Sequence, residues 1–467
     1  MKLSQILAQV KIAYTLPIGS IAYEIEIEDI AIDSRLIKKN SVFFALPGKE
    51  KDGSEFIESA IKNGASLIIS GQENLLIEFL KIFYAPLPAN IYAITGTNGK
   101  TSTAEFTRQI LEFLGKKSAS IGTLGVTCEA SIKEQLQNSS LTTPDIVSLY
   151  KNLHILKKNG VNDVAIEVSS IGLEQGRAAG LKFVAGAFTN FTRDHLDYHK
   201  SMEEYFRCKS LIFDQATSAV LNSDIPEFEK LKKICAEKNL NVIEYGRKAC
   251  ELRLLDEKTF EFKGKKYHLE LSTSGEFQIF NTLCALGNAL STNNLNETQL
   301  ENLVKNFSNL HSAAGRMQLA GTSSNQAKIY IDFAHTPDAL TNVLHLARKL
   351  TKSRVLVLFG CGGDRDKTKR PIMGKIASDL ADLVIITDDN PRSEKPEEIR
   401  AEILKSCNPK KTLEINDRKA AIKQAISLLK TNDILILAGK GHEKYQIIGT
   451  EKAEFDEEKI VKKILNN

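Results

Sequence analysis

No stretch of this 467-residue sequence is apolar for long enough to cross a bilayer, and no two cysteines have C-x-x-C spacing. The first absence argues against a membrane-spanning helix. The second removes the usual zinc signature. Because the seven cysteines are scattered and odd in number, a disulfide framework is not indicated either, and a reducing compartment fits best. An excess of one charge is also missing. The 62 basic and 58 acidic side chains leave +4, too little over this length to argue for nucleic acid or a membrane surface. Between Lys2 and Lys11 there is no sustained apolar stretch, so no signal peptide is expected. Repeats and low-complexity tracts are absent. A cytoplasmic protein is expected, with no membrane insertion and no nucleic-acid partner.

What remains is an ordinary globular composition, 42% hydrophobic and 26% charged, in a chain too long for one core. Three blocks are legible, 1–89, 90–311 and 312–467. The first has short strand patterns over 41–46 and 66–70 with a helical pattern over 56–64, and closes on a proline-marked linker, Ala85-Pro86-Leu87-Pro88. The second opens with a strand over 91–95 and a glycine loop. A helix follows, with Phe106, Ile110, Phe113 and Leu114 on one face and Gly115 at its end, and further strands are expected over 164–166 and 185–188. A small-residue run, Ser312-Ala313-Ala314-Gly315, marks the second boundary. The third block alternates strands over 328–331, 355–359, 383–386 and 434–437 with helices over 337–350, over 372–380 and after Pro396. The expected fold is α/β in three domains. These are a small mixed α/β N-terminal domain, a central P-loop-type domain with a mostly parallel sheet, and a C-terminal doubly wound, Rossmann-like domain with ligands beyond its strand carboxyl ends.

The glycine loop, Thr95-Gly96-Thr97-Asn98-Gly99-Lys100-Thr101, joins strand to helix. Glycines let backbone N–H groups turn toward phosphate oxygens, and the helix N-terminus adds positive potential. Lys100 suits the β- and γ-phosphates, and the Thr101 hydroxyl suits magnesium. The spacing departs from G-x-x-x-x-G-K-[ST], since Ile94 stands where the first glycine belongs, and a glycine turn with a chance lysine is the plainer alternative. Glu167 closes the 164–166 strand, where an acid is placed either to hold a hard cation or simply to face solvent. In the third block, Gly360-Cys361-Gly362-Gly363-Asp364-Arg365-Asp366, Asp389-Asn390-Pro391-Arg392 and Gly439-Lys440-Gly441-His442-Glu443 all follow strands, so they should converge on one crevice. Its two guanidiniums, amide and carboxylate suit a zwitterion with additional carboxylate and ammonium groups.

The compressed loop T-G-T-N-G-K-T is similar to that of the Mur ligases and their folylpolyglutamate synthetase relatives, and the resemblance continues in order along essentially the whole chain. It implies ATP and magnesium, with Gly96, Thr97, Asn98, Gly99, Lys100 and Thr101 on the phosphates. His195, in Asp194-His195-Leu196-Asp197-Tyr198-His199, matches a histidine ligand of a second magnesium, and Lys209 matches the lysine this family carbamylates. On composition alone Lys209 is a surface residue. With Lys100 and Glu167 these make up the expected catalytic set, and Thr101, Glu167, His195 and the Lys209 carbamate the expected metal ligands. Ser34, Thr142, Thr143, Ser169, Gln175 and Arg177 match segments that contact a UDP-muramoyl-peptide. Asn281, Arg316, Asp332 and His335 match nucleotide contacts, although Asp332 and His335 are equally placed to cap the helix near Pro337. Four positions depart from the family pattern, namely Ile171 for histidine, Gln278 for asparagine, Ala314 for proline and Phe333 for tyrosine.

In the resembling enzymes D-N-P-R marks use of meso-diaminopimelate. Arg365, Asp389, Asn390, Arg392, Gly439 and Glu443 are accordingly expected to bind that amino acid. The implied activity is the ATP-dependent ligation of meso-diaminopimelate to UDP-N-acetylmuramoyl-L-alanyl-D-glutamate by a monomer. The same ligase using L-lysine and a non-catalytic scaffold of the same fold are the alternatives.

Overall fold

A computed structural model describes residues 1–14, 23–48, 51–137, 139, 141–272 and 275–466. Three main sheets follow one another along the chain. The first is parallel, with strands Asp29–Ala31, Ser41–Ala45 and Ala65–Ser70 in that order. Helix Glu73–Phe83 buries Leu75, Leu76, Phe79 and Leu80 on one face, and Phe79 meets Phe44 edge-on at 5.4 Å. The helix expected over 56–64 is split. A 3-10 turn, Gly53–Phe56, begins on the Asp52 cap, and the α-helix is only Ile57–Lys62, ended by Gly64 at φ +105°. Asp29 anchors this sheet to the next region, accepting from the Tyr84 hydroxyl at 2.9 Å and from Lys151 Nζ, on helix Ile146–Lys158, at 2.8 Å.

The second sheet has ten strands. Asn90–Thr95 lies near its middle, between Asp163–Glu167 and Ala185–Phe188, in a parallel run of seven that ends at Ser118–Gly122 on one side and Leu252–Asp256 on the other. The three strands Asp163–Glu167, Asn90–Thr95 and Ala185–Phe188 are buried on both faces and read as largely apolar runs, as parallel strands between helices do. Helices Lys100–Phe113 and Glu276–Leu290 cover one face together. The antiparallel strands Thr259–Phe262 and Lys265–His268 extend the sheet beyond what sequence reasoning expected. They alternate charged with apolar residues and are only half covered, so the continuous apolar signal is lost there.

In the third sheet the parallel order is Lys328–Asp332, Ile434–Ala438, Val355–Phe359, Leu383–Ile386 and Thr412–Glu414. Helices Pro337–Leu350, Lys369–Leu380 and Pro396–Leu404 pack on one face, and Arg418–Ser427 and Glu457–Leu465 on the other. This is the doubly wound arrangement expected. Two details differ from expectation. An antiparallel edge strand, Gln318–Thr322, precedes the first parallel strand, and the helix expected at residue 372 starts at Lys369. Pro371 falls in that helix's first turn, where a missing N–H costs no hydrogen bond, so it does not mark the start.

Candidate active site

The pairing register decides what surrounds the glycine loop. Ile94 pairs with Glu167 and Thr95 with Phe188, so the acid and the segment after Phe188 both emerge beside Gly96. Side chains then lace the loop. Asn98 N donates to Asn190 Oδ1 at 2.8 Å, the Thr189 hydroxyl to Asn98 O at 2.6 Å, and the Thr97 hydroxyl to Thr192 O at 3.0 Å. Gly99, at φ +85°, opens helix Lys100–Phe113. A Cβ there would lie 2.4 Å from Asn281 Oδ1, so only glycine fits.

Two lysines converge on one carbonyl. Lys100 Nζ donates to Gly96 O and Thr97 O, each at 2.8 Å, and Lys209 Nζ reaches the same Gly96 O at 2.7 Å. Lys209 is 1% exposed and lies 4.5 Å above the Tyr205 ring. Burial, reinforced by the Lys100 charge, pushes its ammonium well below the lysine range. Burial also lowers Lys100, with Glu167 and Asp194 opposing. Glu167 is raised by burial, and the Lys100 charge limits the rise. Its carboxylate accepts from Thr101 Oγ1 at 2.9 Å, Thr123 N at 2.8 Å and Thr123 Oγ1 at 3.1 Å. His195 stands at the left-handed φ of +52°, with Nε2 3.4 Å from Asp194 Oδ2. Burial works to raise the Asp194 carboxyl, but the positive groups around it, His195, His335 and Lys369, hold it well below the carboxylate range.

Next to this cluster the residues expected to meet the peptide form one hydrogen-bonded arm. Thr123 Oγ1 lies 3.1 Å from Thr142 Oγ1, Thr143 Oγ1 donates to Glu167 O, and Ser169 N donates to Thr143 Oγ1. Arg177 donates to Thr143 O and, twice, to Gln175 Oε1. Thr142 and Ser169 line the central cavity, whereas Thr143, Gln175 and Arg177 lie outside its wall. Ser34 is farther off, buried in the first sheet's 3-10 turn Ser34–Leu36. Lys209 also lies behind the wall, under the loop.

The third sheet closes over the loop. Arg316 Nη2 donates to Thr101 Oγ1 at 3.1 Å while its guanidinium stacks 4.7 Å from Phe333, and Asn98 Nδ2 reaches Asp338 at 2.9 Å. Arg193 adds a hydrogen bond to Thr368 at 2.9 Å and an ion pair with Asp366 at 3.7 Å. Neither Asp332 nor His335 caps the following helix; Thr336 does, accepting from Ala339 N. The Asp332 carboxylate instead takes Met317 N and Ala334 N, both at 2.7 Å, which shapes the turn carrying Arg316. His335 faces the cavity, and burial together with Lys369 lowers it to about 4 against the pull of Asp194.

The three strand-end loops converge. Gly363 N donates to Asn390 O, Arg392 Nη1 to Gly363 O, and Asn390 Nδ2 to Glu443 Oε2, each at 2.9 Å. Arg365 and Arg392 flank Gly362, where a Cβ would sit 2.8 Å from Arg392 Nη1 and 3.9 Å from Arg365 Cγ. Burial and the neighbouring Arg365 charge both lower the Arg392 guanidinium. One cavity of about 940 Å³ runs from Thr97, Lys100 and Glu167 to Arg365, Asn390 and Glu443.

Three family models match in sequence order: "Mur ligase family, catalytic domain" over residues 26–99, "Mur ligase middle domain" over 94–289, and "Mur ligase, glutamate ligase domain" over 315–441. A protein of Mesorhizobium japonicum called UDP-N-acetylmuramoyl-L-alanyl-D-glutamate--2,6-diaminopimelate ligase is 41% identical over 97% of this chain and 98% of its own. A protein of the same name from Chelativorans sp. is 42% identical over 96% of each chain. The chain belongs to the Mur ligase family. A solved structure of a ligase of that same name is 28% identical and superposes with a TM-score of 0.66, covering 100% of this chain and 99% of its own. A folylpolyglutamate synthase of Mycobacterium tuberculosis shares the fold at TM-score 0.63 and 17% identity.

Several side chains that build this Mur ligase site escaped sequence reasoning. Arg370, 1% exposed, binds Glu394 and Glu402 and so clamps the Arg365 loop to the Arg392 loop. Arg418, equally buried, pairs with Glu457 and donates to Ala438 O. Lys440 is wholly buried between Asn390 and Glu443. A charged residue in a local pattern reads as surface, so only Lys440 carried a signal, its place between Gly439 and Gly441, both at positive φ.

Proposed function

We propose that the protein is an ATP-dependent, ADP-forming ligase that joins meso-2,6-diaminopimelate to the D-glutamate side-chain carboxylate of UDP-N-acetylmuramoyl-L-alanyl-D-glutamate, in cytoplasmic peptidoglycan precursor synthesis. The observation that carries this reading is the cavity that the Lys100–Glu167 cluster and both Arg365 and Arg392 line. Two like charges line this end, and burial with the Arg365 charge lowers Arg392 although Asp389, Glu443 and Asp364 oppose it, so the pair calls for an anionic ligand, and a distal carboxylate supplies one. L-Lysine lacks that group. In this reading residues 1–89 bind the UDP moiety through Ser34, 90–311 bind ATP, and 312–467 bind the amino acid.

The γ-phosphoryl group passes from ATP to the glutamate carboxylate, giving an acyl phosphate and ADP. An amino group of diaminopimelate attacks the acyl carbon, and the tetrahedral species expels phosphate to leave the amide. Lys100 exchanges its two carbonyl acceptors for phosphate oxygens, and Arg316 adds a second cation from the third domain. Asn281, Asp332 and His335 border the nucleotide end. Thr142, Thr143, Ser169, Gln175 and Arg177 form the arm beside the acyl group.

The Thr101 hydroxyl and Glu167 carboxylate, 2.9 Å apart and buried, are the hard oxygen donors that magnesium favours. Among the described residues no cluster of three or more histidine, cysteine or acidic side chains forms a complete metal cage, so phosphate and water would supply the other ligands. When bound, magnesium neutralises charge on the transferring phosphoryl group. His195 and a carbamylated Lys209 would hold a second ion. The depressed Lys209 amine suits that modification, in which neutral nitrogen bonds to carbon dioxide and releases a proton.

Phosphate release measured with ATP, the UDP-dipeptide and individual amino acids tests the proposal. Fast turnover is expected with meso-diaminopimelate alone. Equal turnover with L-lysine would overturn it.

A further inference from the structure

Lys440 has no route to a bound substrate, yet it is the residue on which two cavity-lining side chains meet. It is 0% exposed, and its Nζ donates to Asn390 Oδ1 and Glu443 Oε2, both at 3.1 Å, over the Tyr445 ring at 5.8 Å. A buried ammonium is tolerated only when its donors are matched and its charge is balanced, and here Glu443 supplies the charge.

The network has a direction. Asn390 Oδ1 accepts from Lys440 and also from Ile447 N at 2.9 Å, so the amide nitrogen faces the other way. That nitrogen spends one hydrogen on Glu443 Oε2 at 2.9 Å and keeps one. Among the described residues both hydrogen bonds to the Glu443 carboxylate fall on Oε2, leaving Oε1 for a ligand in the cavity that Glu443 lines. The result is one N–H donor and one carboxylate oxygen presented side by side, next to Arg365 and Arg392.

We infer that Lys440 is a positioning residue that sets specificity for the distal ammonium group of the amino-acid substrate, by holding Glu443 and Asn390 in this orientation. The inference rests on the function proposed above. The arginines select the distal carboxylate whatever Lys440 does. Lys440 governs the other half of the zwitterion, the ammonium that Glu443 Oε1 accepts.

The two halves separate with a paired substrate test. L-2-Aminopimelate keeps the attacking amine and the distal carboxylate of meso-diaminopimelate and lacks only the distal ammonium. The full-length enzyme is assayed by phosphate release with each amino acid, as wild type, Lys440→Met, Glu443→Gln and the double variant. A site built around a polar group discriminates strongly against an analogue lacking it, so wild type should prefer meso-diaminopimelate by roughly 100-fold in kcat/KM. In Lys440→Met that preference should fall to about 5-fold or less, through KM for meso-diaminopimelate, with KM for ATP unchanged. The double variant should discriminate no better and no worse than Glu443→Gln, because Lys440 acts through that carboxylate.

A folded Lys440→Met enzyme that keeps the wild-type ratio overturns the inference, as does additivity of the two substitutions. If Lys440→Met does not fold, Lys440→Gln takes its place and a retained wild-type ratio there overturns the inference, while wild type and Glu443→Gln test the ammonium contact itself. Absence of any preference in wild type, or its survival in Glu443→Gln, removes the ammonium contact Lys440 is said to position. Wild type that releases no phosphate with meso-diaminopimelate defeats the parent proposal instead.

Discussion

The two ends of the cavity solve opposite electrostatic problems. At the phosphate loop the charges already balance one another. Lys100 and Lys209 are turned onto a backbone carbonyl, and Glu167 is covered by three hydrogen bonds, so the ligand must displace protein contacts. At the Arg365–Arg392 end buried cations lock the loops from behind, and at the front burial and the Arg365 charge outweigh the Asp389, Glu443 and Asp364 carboxylates at Arg392. Under the proposed function discrimination comes from the second arrangement, since a ligand that fails to supply the complementary charge leaves a desolvated cation without it.

Removing Lys100 attacks the self-balanced end and should have the largest effect. Lys100→Ala is expected to lower kcat for phosphate release by about 10³-fold or more, with any amino acid, because a preorganised cation at the transferring phosphoryl group is lost. A loss below tenfold would mean the two ends do not divide the work as described. Arg392→Ala comes next. It should reduce kcat/KM for meso-diaminopimelate by roughly 10²-fold and leave KM for ATP within about twofold, and an equal rise in both KM values would erase the distinction between the ends.

The contacts that join the ends are weaker. Arg193 is half exposed, and its ion pair with Asp366 carries the modest value of such pairs. Arg193→Ala should cut kcat by only about threefold, through slower closure of the third domain. Stopped-flow phosphate bursts separate closure from release, and an unchanged burst rate would show that this pair does not latch the domains.

The smallest expected effect is on pH dependence. His442 lies between the ends, 5.1 Å from the Phe333 ring, and burial with the Arg316 and Lys440 charges lowers it to about 4 from the usual 6.5. In the unfolded chain this ring takes a proton near 6.5, so it withdraws stability as pH falls from 6.5 toward 4 and contributes no pH dependence above 6.5. Thermal unfolding should show a shallower loss across that window for His442→Asn than for wild type. Parallel curves would contradict the burial argument.

Local pattern was enough for the elements that act through the backbone. The strand–loop–helix around Gly96 to Thr101, the acid at the end of its strand and the three strand-end loops of the third domain could all be read from residue order, because turn chemistry and hydrophobic period act over a few residues. Asp332 shows where that reading stops. Its spacing suited nucleotide binding and helix capping alike, and the fold did not make it the cap, using it to shape the Arg316 turn while Thr336 took the helix end.

Three-dimensional packing alone settled which charges are buried and what they face. Arg370 and Arg418 lie among ordinary charged residues in the chain, and nothing within a few positions of either distinguishes an inner support from a solvated side chain, while Lys440 has only its flanking glycines to mark it. The most distant partners of Arg370, Arg418 and Lys440 are 32, 39 and 50 residues away, and the Arg316–Thr101 contact spans 215. Such pairings depend on how sheets and loops stack once the chain has collapsed, and a short window of sequence holds no information about that distance.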